Sequence, residues 1–280
     1  MVKSFMPKTL AEALKICDEH DVCPIAGGTD LMVRNHQSAG ILPTFTKDML
    51  FIKNIDELTV LEKKDMHLII GANITLNRLL NWENTPQILH LALQEMAAPA
   101  IRNMGTIAGN ICNASPAGDT LPPLYALDAI VCLKSIAGER ELPIREFILG
   151  PGKTALKENE LLTAIKIPIG DNNINFYKKA AMRKAAAISK VSIAMTAKKE
   201  KDKIVNIAIA IGAVGPTVVR LAEAEDMFIK NNENTGKVLP DIYDVYDRQI
   251  KPIDDIRSTA KYRKQVAMNL LHYVYEKCIK

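Results

Sequence analysis

The chain has 280 residues, 48% apolar and 24% charged, with a net charge of +4. That length and balance give a soluble, globular chain of roughly two domains that needs no disulfide support. The charge is spread too evenly for a nucleic-acid face, and the longest apolar run, residues 207–214, is too short to cross a membrane. The first ten residues, MVKSFMPKTL, lack the apolar region of a signal peptide. Five cysteines, an odd number without any CxxC pair, argue for reduced thiols, a cytoplasmic setting and no internal zinc or iron-sulfur site. The histidines are scattered without ligand spacing, so no metal site is expected.

Thr9 followed by Glu12 forms a capping box, and Leu10, Ala13, Leu14 and Cys17 share one face of a helix predicted over residues 9–20. A short strand over 23–26 then enters Gly27-Gly28-Thr29-Asp30 and the apolar Leu31, Met32 and Val33. This is a strand, a glycine turn and a helix start. Amides freed at such a turn can bind phosphate oxygens, and missing Cβ atoms permit close approach. The pattern is neither a dinucleotide GxGxxG nor a phosphate-loop GxxxxGK[ST].

Residues 59–72 read as a hairpin around Lys64-Asp65, and Thr75 caps a helix over 76–82. A second helix follows Pro86, with Ile88, Leu91, Ala92 and Glu95 marking its period. Residues 101–120 follow, IRNMGTIAGNICNASPAGDT, where Thr106, Asn110, Asn113 and Ser115 alternate with glycine and alanine. Only Ile107 and Ile111 recur at helical spacing, so the stretch reads as a ligand loop or a long glycine-rich turn over the core.

Beyond it come a helix over 121–127, a buried strand over 129–134, a turn at Ala137-Gly138 and a returning strand. Residues 147–154 form a glycine and proline loop carrying Lys153, and residues 161–167 form a strand. The polar run 171–175 is the expected domain boundary. Residues 190–197 alternate, KKEKDK at 198–203 is a solvated turn, and Val205, Ile207, Ile209 and Ile211 are assigned to the core. Helices are expected over 220–229 and 259–277, with Tyr262, Val266, Asn269, Leu270 and Tyr273 as the core stripe of the second.

Taken together and in this order, PIAGGTDL at 24–31, RNMGTIAGN at 102–110 and SPAGD at 115–119 resemble the flavin-binding subunits of the molybdenum hydroxylases, the xanthine dehydrogenase and carbon monoxide dehydrogenase group. IGA at 70–72, GPGKT at 150–154, ELL at 160–162 and YKKAAMRKAAAISKVS at 177–192 extend the likeness, and IGAVGPTVVR at 211–220 and STAKYRKQVA at 258–267 carry it to the end. The resemblance implies an α+β fold. A flavin-binding region over 1–170 of the vanillyl-alcohol-oxidase (PCMH-like) type, in subdomains 1–55 and 56–170, precedes a small antiparallel-sheet-plus-helices carboxy-terminal domain over 175–280.

FAD is then expected to lie between the subdomains with its pyrophosphate on both glycine loops. Position by position, the resemblance places Pro24, Ile25, Ala26, Gly27, Gly28, Thr29, Asp30 and Leu31 along it, with Thr106, Ile107, Ala108, Gly109 and Asn110. Ala97, Asp119, Lys153, Leu162 and Lys178 match further flavin contacts. A carboxylate beside phosphate is repelled, so Asp119 is assigned to sugar or ribityl hydroxyls, and Lys178 to anionic character on the flavin or a phosphate.

Two departures stand out: Ala108 replaces a glycine of the usual TIGGN, and the cysteine-rich loop of some relatives is missing. The resemblance implies partner chains holding a molybdenum cofactor and [2Fe-2S] clusters, with NAD or another acceptor receiving the electrons; no acid-base dyad or nucleophile is nominated in this chain. The alternatives are a stand-alone flavoprotein oxidoreductase, with Tyr177 or Ser115 as proton donor, and a non-catalytic assembly module that has lost its flavin.

Overall fold

The computed structural model describes residues 2–36, 38, 41–231 and 235–279. The chain forms two compact units that do not follow sequence order. Unit 1 comprises Met1–Asn84, Ala98–Asn113 and Ala129–Pro168, and unit 2 comprises Thr85–Ala97, Ala114–Asp128 and Ile169–Lys280.

The chain begins with β1 (Ser4–Phe5), α1 (Leu10–Glu19), β2 (Val22–Ile25), α2 (Leu31–Arg34) and β3 (Asp48–Phe51). The first helix starts as its capping residues dictate: Thr9 Oγ1 accepts from the Glu12 amide at 3.2 Å, and Glu12 reaches back to the Lys8 amide at 2.7 Å. The buried face is Ala13, Leu14 and Cys17. The three strands form a parallel sheet in the order β1-β3-β2. The hairpin of β4 (Leu61–Lys64) and β5 (His67–Gly71) turns through Asp65 and Met66, both at positive φ as a two-residue turn of right-handed twist requires.

Next come α3 (Leu76–Leu80), capped by Thr75 as expected, α4 (Gln87–Glu95), α5 (Pro99–Met104), α6 (Ile107–Asn113) and α7 (Leu121–Ala126). Residues 101–120 are therefore not a continuous loop. Ile107 and Ile111 are fully buried on α6, and two apolar anchors suffice for a helix this short because its remaining residues are small. The strands β6 (Ile130–Ser135) and β7 (Gly138–Pro143), the turn α8 (Ile144–Phe147), the short pair β8 (Ile148–Gly150) and β9 (Lys153–Thr154), and β10 (Leu161–Pro168) complete unit 1. Its second sheet is antiparallel, in the order β4-β5-β10-β6-β7.

Unit 2 is built on β11 (Ile174–Ala181), β12 (Ser189–Glu200), β13 (Lys203–Gly212) and β14 (Val219–Arg220), paired antiparallel in that order. Val191, Ile193 and Met195 of β12 and Ile207, Ile209 and Ile211 of β13 pack against α9 (Ala222–Lys230), α10 (Thr235–Gln249) and α11 (Ala260–Val274). The other face carries small residues, Ser192, Ala194, Thr196, Ala208 and Ala210, and is buried as well. The α4 and α7 segments cover it, so closely that a Cβ on Gly212 would stand 2.8 Å from Pro122.

Two assignments to this core shift. The β12–β13 register slips between Lys198 and Lys199, so Ile204 rather than Val205 turns inward; Val205 is 43% exposed. On α11 the buried residues are Arg263, Ala267, Leu271 and Val274, whereas Tyr262 and Tyr273 lie on exposed flanks. Arg263 occupies a core position because Asp255 Oδ1 (2.6 Å) and the Lys190 carbonyl (2.9 Å) accept from its guanidinium.

Candidate functional site

The first glycine loop leaves β2 at Ile25 and enters α2 at Leu31. Pro24 and Asp30 are exposed, Ile25 is buried, and Ala26, Gly27, Gly28, Thr29 and Leu31 are half-buried. Gly28 has φ +70°, and the Met32 amide donates to its carbonyl at 2.9 Å. At Gly27 the missing side chain also answers a demand from within the chain. A Cβ there would stand 2.0 Å from the Met104 carbonyl oxygen and 2.9 Å from the Gly105 Cα. The missing side chain lets the backbones of the two glycine segments touch.

Among the described residues, the amides of Ala26, Gly27, Gly28 and Thr29 find no acceptor. Consecutive half-buried donors of this kind are suited to an anion, without any lysine. The second segment adds one more donor. At the start of α6, Ile107 donates to the Ile74 carbonyl (3.1 Å), Gly109 to Thr106 Oγ1 (3.1 Å) and Asn110 to the Thr106 carbonyl (3.1 Å). The Ala108 amide is left without an acceptor among the described residues. Thr106, Ile107, Ala108 and Asn110 are buried and Gly109 is exposed.

Asp30, the one carboxylate in the loop, accepts from Asn113 Nδ2 at 3.2 Å, while the Arg34 guanidinium donates to Asn113 Oδ1. Its carboxylate is thus engaged by α6. Leu162 is buried on β10 beside a bulge at Thr163, and Lys153 is exposed on β9.

Ala97, Asp119 and Lys178 belong to unit 2. Ala97 has φ +50° just beyond α4. Lys178 is exposed on β11, and its neighbour Lys179 points inward. Lys179 Nζ donates to Asp119 Oδ2 (2.9 Å), the Glu95 carbonyl (2.8 Å) and the Ala187 carbonyl (3.2 Å), which uses all three of its donors. Ser189 Oγ (2.6 Å) and the Tyr177 hydroxyl (3.2 Å) both donate to Asp119 Oδ1. The Lys179 and Asp119 side chains are 2% and 8% exposed. Asp119 therefore takes its hydrogen bonds from its own chain.

Burial first, then the Asp119 charge, pushes the Tyr177 hydroxyl far above its usual range and keeps it protonated. A buried donor held in this way is a poor proton source, which weighs against Tyr177 in the stand-alone-enzyme reading. Ser115, the other candidate, accepts from the Ala117 amide at 3.3 Å in a local turn. Among the described residues no cluster of three or more His, Cys, Asp or Glu could hold a metal ion, and no helix is long and apolar enough to cross a membrane.

Comparison with known proteins gives the class. The family described as the FAD binding domain in molybdopterin dehydrogenase matches residues 1–170, and the CO dehydrogenase flavoprotein C-terminal domain matches residues 175–278. The chain belongs to this family, the FAD subunits of the molybdenum hydroxylases, and is an FAD-dependent oxidoreductase subunit.

Among individual relatives it is 31% identical over 263 residues to the glyceraldehyde dehydrogenase medium chain of Sulfolobus acidocaldarius, covering 92% of each chain. It is 32% identical to the nicotinate dehydrogenase FAD-subunit of Eubacterium barkeri, covering 87% of this chain and 86% of the relative. A solved copper- and molybdenum-containing CO dehydrogenase, in its cyanide-inactivated form, superposes with a TM-score of 0.89 at 25% identity, covering 99% of this chain and 97% of the other.

Proposed function

We propose that this chain is the FAD-carrying electron-transfer subunit of a multi-subunit molybdenum hydroxylase. In this reading it takes electrons from [2Fe-2S] centres in one partner chain, after substrate oxidation at a molybdenum cofactor in another, and passes them to NAD or another acceptor. Family membership and relatives named as medium chains and FAD-subunits support it. The observation that carries it is the row of acceptor-less amides from Ala26 to Thr29, joined by that of Ala108. When bound, FAD supplies the conversion between one-electron and two-electron transfer.

The residues present suit the group. Oriented amides offset the two negative charges of a pyrophosphate without a mobile cation, and they are fixed before the ligand arrives. Gly27 keeps the first segment against Met104, and Thr106 fixes the first turn of α6. Asp30 is drawn aside by Asn113, which limits repulsion of the phosphate. Ala97, Asp119, Lys153, Leu162 and Lys178 remain family-implied flavin contacts in this proposal.

The test is the visible absorption of the full chain purified alone and after addition of FAD, repeated with Gly27→Val and Gly109→Val. A flavin spectrum in the wild type that is lost in both variants is the expected result. A wild-type chain that stays colourless with added FAD overturns the assignment and favours the assembly module.

A further inference from the structure

In the β2–β3 ladder Ile25 lies opposite Phe51, and the Ile52 amide donates to the Ile25 carbonyl at 3.0 Å. The repeat of a parallel ladder makes the Gly27 N–H the next donor and the Ile52 carbonyl its acceptor. That rung does not form. A carbonyl oxygen has two lone pairs, and both are taken, one by the Ile55 amide at 3.2 Å and the other by Asn73 Nδ2 at 2.6 Å. The Gly27 amide is left without an acceptor among the described residues, two positions after the strand ends. Asn73 is itself held in place. It is 8% exposed, and its own amide donates to the Leu58 carbonyl at 2.8 Å.

We infer that Asn73 is a positioning residue for the flavin: its side-chain amide ends the β2–β3 ladder one rung early and so keeps the Gly27 N–H open for a pyrophosphate oxygen. This rests on the pyrophosphate reading given above and names the device that maintains it. Nothing in the loop sequence itself prevents the rung, because glycine is a competent ladder donor. What prevents it comes from residue 73, in the segment between β5 and α3. Without Asn73 the Ile52 carbonyl regains a lone pair, and the ladder repeat makes the Gly27 N–H the donor that would fill it. The site then loses one oriented amide even though no residue of the glycine loop has changed.

The experiment compares the full wild-type chain with Asn73→Ala, each stripped of FAD and then titrated with it. Hydrogen exchange is followed in peptides spanning residues 25–31. In the wild type, the Gly27 amide is expected to exchange freely without FAD and to be protected with it. In Asn73→Ala, it is expected to be protected already without FAD, and FAD affinity should fall about tenfold, as for the loss of one hydrogen bond to a charged group.

FAD binding within twofold of wild type, with unchanged Gly27 exchange, overturns the role of Asn73 and leaves the pyrophosphate reading standing. A wild type whose amides at residues 26–29 gain no protection from bound FAD overturns that reading instead. Weaker FAD binding accompanied by faster exchange throughout β2 and β3 points to simple loosening of the sheet and also overturns the inference. Should Asn73→Ala not fold, the isosteric Asn73→Asp, which lacks the Nδ2 donor, carries the same comparison. A Gly27 amide protected in the FAD-free wild type refutes the inference with no variant at all.

Discussion

Replacing Lys179 by methionine separates the buried network of unit 2 from the rest of the molecule. The substitution nearly preserves side-chain volume but withdraws a charge that is 2% exposed, together with three hydrogen bonds: to Asp119 at 2.9 Å and to the carbonyls of Glu95 and Ala187. Asp119, 8% exposed, keeps Ser189 and Tyr177 as neutral donors and loses its counter-charge. Breaking a buried pair from one side costs about 3–5 kcal/mol, most of it the burial of the charge left behind. Asp119→Asn in the same background removes that charge, so the double variant should be more stable than Lys179→Met by at least about 1 kcal/mol.

The one tryptophan, Trp82, belongs to unit 1, so this unit needs a reporter of its own. Native-state hydrogen exchange of β12 does, because its residues from Val191 to Ala197 are buried throughout. A Lys179→Met chain whose β12 opening free energy stays within about 1 kcal/mol of wild type would refute the view that this pair is closed to solvent and mutually dependent.

Other consequences are as direct. Gly27→Ala adds a Cβ 2.0 Å from the Met104 carbonyl oxygen, well inside the 3.4 Å of ordinary contact, so the two glycine segments must part and FAD affinity should fall at least tenfold by fluorescence titration; unchanged affinity would show that their contact is dispensable. Glu160 accepts Arg140 at 2.6 and 2.7 Å, and that pairing holds its carboxyl below the usual 4.5. Because the folded value is the lower one, its stabilising contribution is complete above about pH 4.5 and is lost as pH falls through the folded value. Glu160→Gln should flatten that acid slope in urea midpoints measured from pH 6 downward, and a slope identical to wild type counts against the pairing. At the β13 bulge, Ile204→Ala should cost about 2–5 kcal/mol and Val205→Ala about 0.5 kcal/mol or less in chemical unfolding, and the reverse order would mean that the bulge is misplaced.

The outcomes for individual elements show which physics a sequence displays. Helices whose caps and apolar face agree, such as α1 and α3, were legible, as were α4 from its apolar face after Pro86 and the hairpin turns at Asp65 and Asp202. The α10 helix was not, because Pro240 lies inside it and breaks the pattern that normally announces a helix. The short strands β1 and β3 were missed because two to four residues carry too little alternation to register. On α11 Val266 and Leu270 pack against the core as read, but Tyr262 and Tyr273 do not, because tyrosine looks like core and arginine does not. Arg263 is buried by virtue of Asp255 and the Lys190 carbonyl, partners that only the tertiary structure supplies.

At the candidate site the limit is more specific. Lys178 and Lys179 are indistinguishable by residue type, yet strand alternation places Lys179 on the side of Tyr177, and Tyr177 is buried. Period two was therefore the signal that could have found Lys179 as the buried partner of Asp119. Asn73 left no such trace, since its effect is on a hydrogen bond that fails to form between two other residues. The glycine loops stand between these cases: their composition announced that backbone comes close to something, and in Gly27 that partner is the backbone of Met104 and Gly105. A glycine motif reports a missing Cβ without reporting what fills the space. In the proposed reading it is the free amides, set by Asn73 and Met104 outside the first loop, that let this one bind an anion.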